Sequence, residues 1–130
     1  MEYAAELNII GQKAKQAARK LATISTDVKN KALLLMADAL IANQAEIIAV
    51  NALDVTKGQA QGMTKSLVDR LLLNEARITA MAEGLRQIAA LPDPVGEVLN
   101  MQQRPNALDI GKIRVPLGVI GIIYEARPNV

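Results

Sequence analysis

Between Tyr124 and Asn129 the sequence gathers a phenol (Tyr124), a carboxylate (Glu125), a guanidinium (Arg127) and an amide (Asn129), and Pro128 favours an extended backbone at Arg127. A guanidinium so placed can grip phosphate or carboxylate oxygens through two parallel hydrogen bonds. The alternative is that Glu125 and Arg127 pair with structural neighbours. Elsewhere the chain is poor in reactive groups. It has no cysteine, hence no thiolate and no disulfide, and no histidine to activate Ser25 or Ser66. Asp54, Asp69, Asp93 and Asp109 are scattered without metal-ligand spacing, which argues against a metal site.

The element that must position this polar cluster is the run before it. Val119, Ile120, Ile122 and Ile123 read as a short strand covered on both faces, as in parallel sheets between helix layers. Polar groups at the end of such a strand lie where open α/β sheets bind ligands. Gly118 and Gly121 give only a GxxG spacing inside the strand with no helix after it. Packing therefore explains them better than a dinucleotide fingerprint.

Upstream, the pattern is helical. Tyr3, Leu7, Ile10, Ala14, Ala17 and Leu21 fall on one face of an amphipathic helix, which is expected to dock on its own domain. Ser25-Thr26-Asp27 breaks it, and Val28, Ala32, Leu35, Met36, Ala39 and Leu40 form the apolar face of a second helix ending near Ala42. Asn43 and Glu46 suggest a capping pair for a third, which passes Ile47, Ile48, Asn51 and Val55 and stops at Lys57-Gly58 before a loop to Gly62. Thr64 opens a short helix over Leu67, Val68, Leu71 and Leu72. Asn74 caps the next, whose face is Ile78, Met81, Leu85 and Ile88, and Leu91-Pro92-Asp93-Pro94 ends it. From Glu97 the period becomes two: a strand to Arg104, a turn at Pro105-Asn106 and a partner strand from Ala107 to Val115, with a bulge expected at Gly111.

At 130 residues, 51% hydrophobic but with two Tyr and no Phe or Trp, the chain can build one domain core from small aliphatic side chains. The net charge of +2 comes mainly from Lys13, Lys15, Arg19, Lys20, Lys29 and Lys31. Without stacking aromatics nearby, these read as a solvated helix face and not a nucleic-acid surface. Glu2 and Glu6 in place of an apolar signal core, and a longest apolar run of about half a membrane span, point to a cytoplasmic protein with no membrane segment.

The run GVIGIIYEARPNV after IRVPL, with SLVDRLLLNEARI (Ser66 to Ile78) and LPDPVGEV (Leu91 to Val98), resembles the γ-glutamyl phosphate reductase (glutamate-5-semialdehyde dehydrogenase) family of the aldehyde dehydrogenase superfamily. The resemblance spans essentially all 130 residues, whereas family members are considerably longer, so an N-terminal fragment is expected. It implies an α/β, aldehyde dehydrogenase-like fold, truncated: a helical region (1–96), a β-hairpin like an oligomerisation arm (97–115) and the start of an NADP-binding domain (116–130). It implies NADPH-dependent reduction of L-glutamyl 5-phosphate to glutamate 5-semialdehyde with release of phosphate, the second step of proline biosynthesis. In that chemistry a cysteine thiolate displaces phosphate and the resulting thioester accepts hydride. That cysteine is absent here, so the chain alone is expected to be inactive. Where the wider superfamily has an asparagine that holds the reacting carbonyl oxygen, an ungapped count from Ile123 reaches Arg127. On this comparison Arg127 binds substrate charge, Asn129 is the further substrate-binding candidate, and Tyr124, Glu125 and Ala126 border the cofactor. Homo-oligomerisation and association with glutamate 5-kinase are implied for the full-length protein. Two other readings stay open: the reductase domain of a bifunctional pyrroline-carboxylate synthase, and a non-enzymatic helical interaction module, which an exposed VIGII strand does not suit.

Overall fold

The computed structural model describes residues 2–123, 127 and 128. In order these form α1 (Glu2–Leu21), α2 (Thr26–Ala42), α3 (Gln44–Ala60), α4 (Lys65–Leu71), α5 (Glu75–Ala90), β1 (Val98–Gln103) and β2 (Asp109–Ile113). They divide into two compact units, one of Met1–Thr26 with Pro92–Gly121, the other of Asp27–Leu91 with Ile122–Val130. No single helix among the described residues is long and apolar enough to cross a membrane.

The first unit holds α1 and the hairpin. The apolar stripe of α1 is present as expected, but Tyr3, Leu7, Ile10 and Leu21 are all exposed, so the docking expected for this helix is not seen among the described residues of its own unit. Lys13, Lys15, Arg19 and Lys20 are solvated. β1 and β2 pair antiparallel, and the ladder extends past both strands through the Arg114 N–H to Glu97 O and Gly96 N–H to Arg114 O bonds, each 2.9 Å. The irregularity falls between Val98 and Asn100 on β1, not at Gly111. Gly111 instead pairs with Met101, whose side chain lies where a Cβ would sit, at 3.0 Å. The slipped apolar phase was real, but the unpaired residue that absorbs it can sit on either strand. At the tip, the Ala107 N–H to Arg104 O bond closes a turn over Pro105-Asn106, and Ala107 takes φ 63, a left-handed conformation that favours glycine. Every residue of both strands is exposed.

The second unit packs α2, α3, α4 and α5 around a small core of Ala37, Leu73, Ile78 and Ala82. Thr64 caps α4 through the Leu67 N–H (3.4 Å) and Asn74 caps α5 through the Arg77 N–H (2.9 Å), as their types predicted. Asn43 does not cap α3. Its amide Nδ2 donates to Ala39 O at 2.8 Å and closes the end of α2, where α2 and α3 meet at 68°. With a single residue between two helices, its side chain can serve only one of them. α3 also continues past Gly58 to Ala60, and the left-handed glycine is Gly62 (φ 82). Gly58 is a packing glycine, because a Cβ there would meet Met63 at 3.2 Å and Leu71 at 3.6 Å.

The face of α2 differs as well. Ala37 is buried with Leu33 and Leu40 half-buried beside it, whereas Val28, Leu35 and Met36 of the expected stripe are exposed. From Ala32 to Ala42 only Asp38 is polar, so periodicity cannot choose the inner face of α2 there. The expected strand is also not formed: Gly118 to Ile123 has no regular structure and Ile123 is fully exposed. A buried strand needs neighbours to satisfy its backbone groups, and among the described residues the only strands are the two of the hairpin.

Candidate functional site

In the second unit, α2, α4, α5 and the chain end border a concavity of about 920 Å³. Its wall is apolar at Met36, Leu40, Leu72, Leu73, Met81, Leu85 and Ile88, and charged at Asp69, Arg70, Arg77 and Arg127. The charged rim is built by the turn between α4 and α5, and that turn is fastened from below. Asn51 on α3, 5% exposed, donates from Nδ2 to Leu71 O (2.9 Å) and accepts at Oδ1 from Leu73 N–H (2.7 Å). One buried amide therefore satisfies the turn's inward-facing backbone groups.

From above, Arg77 closes the same turn. Its Nη1 donates to the carbonyls of Asp69 and Leu72 (2.7 Å to the latter), and its Nη2 to Asp69 Oδ1 at 2.9 Å. A cation over the free carbonyls of a helix C-terminus is well placed. Asp69 and Arg77 are thus committed to each other and to the backbone. Arg70, in the last turn of α4, is exposed at the rim and has no hydrogen bond or ion pair among the described residues.

Of the residues expected to do chemistry, Arg127 is exposed and borders this concavity together with half-buried Pro128. Tyr124, Glu125, Ala126 and Asn129 lie outside the described residues. Gly118 has φ 93 with open space where a Cβ would be, so backbone conformation and not packing accounts for it. No group of three or more Asp or Glu among the described residues could hold a metal ion. Sequence reasoning did not single out Arg70, Arg77 or the clamp role of Asn51. The signal was available for two of them, since SLVDRLLLNEARI carries Asp69, Arg70, Asn74 and Arg77 on either side of the turn that joins α4 to α5.

No family model matches the chain. Curated relatives do: it is 65% identical over 120 residues to the γ-glutamyl phosphate reductase of Syntrophomonas wolfei, covering 92% of this chain and 29% of the relative. It is 60% identical over all 130 residues to that of Moorella thermoacetica, covering 31% of the relative. Among solved structures, the γ-glutamyl phosphate reductase of Thermotoga maritima matches with a TM-score of 0.88 at 43% identity, over 91% of this chain and 28% of that one. The Saccharomyces cerevisiae enzyme matches with a TM-score of 0.87 at 32% identity, over 92% and 31%. The chain spans about 30% of the length of the relatives it matches, and over nearly all of its own residues it is a homologue of the N-terminal part of γ-glutamyl phosphate reductases.

Proposed function

We propose that this chain acts as the N-terminal segment of a γ-glutamyl phosphate reductase and contributes a substrate-binding wall to it, not the nucleophile. The observation that carries this reading is 60% identity across every residue of the chain to a reductase. A chain without cysteine or histidine has no thiolate to offer, so in this reading the nucleophile comes from the rest of the longer protein. The nicotinamide cofactor, NADPH in this proposal, supplies the hydride. Arg127 binds phosphate oxygens of L-glutamyl 5-phosphate in a bidentate way, Asn129 steadies the reacting carbonyl oxygen, and Tyr124, Glu125 and Ala126 border the cofactor. The domain scheme is 1–96 helical, 97–115 arm and 116–130 entry to the cofactor domain. A two-stranded hairpin is marginal by itself, and one exposed on every residue suits an arm that pairs with another subunit. The cytoplasm and association with glutamate 5-kinase complete the proposal.

The test replaces the aligned segment of the Moorella thermoacetica enzyme with residues 1–130 and assays the reverse reaction, phosphate-dependent reduction of NADP+ by glutamate 5-semialdehyde. The chimera should turn over within about tenfold of the parent, an allowance of about 1.4 kcal/mol for imperfect packing at the new boundary. The 130-residue chain alone should show no turnover. Arg127→Lys in the chimera should raise the KM for phosphate by about tenfold, because an ammonium cannot reproduce the bidentate fork. A folded but inactive chimera would end the reductase reading, and unchanged kinetics in Arg127→Lys would remove Arg127 from the site.

A further inference from the structure

We propose that Arg70 is a second anion-binding residue of the concavity that Arg127 borders, and that it takes the α-carboxylate of the substrate while Arg127 takes the phosphate. The inference rests on the reductase reading and deepens it. Three guanidiniums line the concavity, but Arg77 is spent on Asp69 and on the carbonyls of Asp69 and Leu72. Asp69, the one carboxylate among the described lining residues, is spent on Arg77 in return and does not repel an incoming anion. Arg70 and Arg127 carry no hydrogen bond or ion pair among the described residues, so both forks are open to a ligand.

The wall they share includes Leu72, Met81 and Leu85. A ligand with an anion at each end and a short aliphatic middle matches such a wall, with oxygens at the guanidiniums and methylenes on the apolar side chains. L-glutamyl 5-phosphate is such a molecule, and its α-carboxylate distinguishes it from acyl phosphates that lack a second anion. Arg70 is therefore assigned to specificity. It projects from the last turn of α4, the end that is pinned through Asn51 and Arg77, so its backbone does not need to be ordered by the ligand.

The experiment uses the reductase chimera and two aldehydes, glutamate 5-semialdehyde and 4-aminobutanal, which is the same aldehyde without the α-carboxylate. Arg70→Gln should raise the KM for the semialdehyde by about tenfold or more and leave both the KM for phosphate and the kinetics with 4-aminobutanal unchanged. Arg70→Lys should recover part of the loss. Arg70→Gln and Arg127→Lys should split, the first moving only the semialdehyde KM and the second only the phosphate KM. An unchanged semialdehyde KM in Arg70→Gln, or equal losses with both aldehydes, would overturn the assignment of Arg70 while leaving the reductase reading standing. A folded, inactive chimera would defeat the reductase reading and this inference with it.

Discussion

Asn51 offers the sharpest test of how the site is held. Its amide is buried and makes both of its bonds to the α4–α5 turn, to Leu71 O at 2.9 Å and from Leu73 N–H at 2.7 Å. Asn51→Leu keeps the branched shape of the side chain, with bulkier methyl groups, and deletes both bonds. The Leu73 N–H is then left buried without an acceptor, a loss of about 1–3 kcal/mol, whereas half-buried Leu71 O can recruit water and adds up to about 1 kcal/mol. The sum, about 1–4 kcal/mol, is a large share of the roughly 5–15 kcal/mol that holds a domain together. Asn51→Ala should lose about 1 kcal/mol more, because it also leaves a void. The assay is urea unfolding of the whole chain followed by far-ultraviolet circular dichroism. With a slope of about 1–1.5 kcal/mol per molar urea, the midpoint of Asn51→Leu should fall by about 0.7–4 M with the slope unchanged. A fall below about 0.3 M would show that the turn does not depend on this amide, and the argument that Arg70 and Arg77 are presented on a pinned turn would go with it.

Further expectations concern the rest of the chain. Ala107→Gly relieves a left-handed alanine at the hairpin tip and should stabilise the hairpin by up to about 1 kcal/mol, read as increased protection of its cross-strand amides; lower protection would contradict this. Gly11→Ala, with open space around its new methyl, should stabilise α1 by up to about 1 kcal/mol, whereas Gly58→Leu must displace Met63 and Leu71 and should cost about 1–3 kcal/mol; thermal melts of the two variants moving the same way would refute the distinction. The exposed Val119, Ile120, Ile122 and Ile123 should make the 130-residue chain associate as its concentration rises, and the pair Ile120→Lys and Ile122→Lys should suppress this; a wild-type chain that sediments as a monomer throughout would count against it.

How much of this was legible beforehand follows from what sequence encodes locally. Thr64, Asn74 and the Pro92–Pro94 stop marked their helix ends because capping and proline geometry act within a few residues. The inner face of α2 is not legible because its second half, from Ala32 to Ala42, is apolar except at Asp38 and carries no periodic signal. Gly58 reads as a stop because a packing glycine and a capping glycine look alike in sequence, and only the fold brings Met63 and Leu71 against it. The bulge was legible as a phase slip but not its strand. For the site, the polar cluster drew attention to Arg127. Arg70 and Arg77 gain their meaning only when the α4–α5 turn folds them onto one wall, a tertiary fact that spacing alone does not contain.

In the proposed reductase, Val119–Ile123 becomes a buried strand once the rest of the longer protein supplies its neighbours. Hydrogen exchange at the amides of Ile120, Ile122 and Ile123 tests this most directly, in the dilute 130-residue chain and in the active chimera. Exchange should lie within about tenfold of an unstructured peptide in the chain alone, with protection of about a thousandfold or more in the chimera. Strong protection already in the monomeric chain, or none in an active chimera, would contradict it.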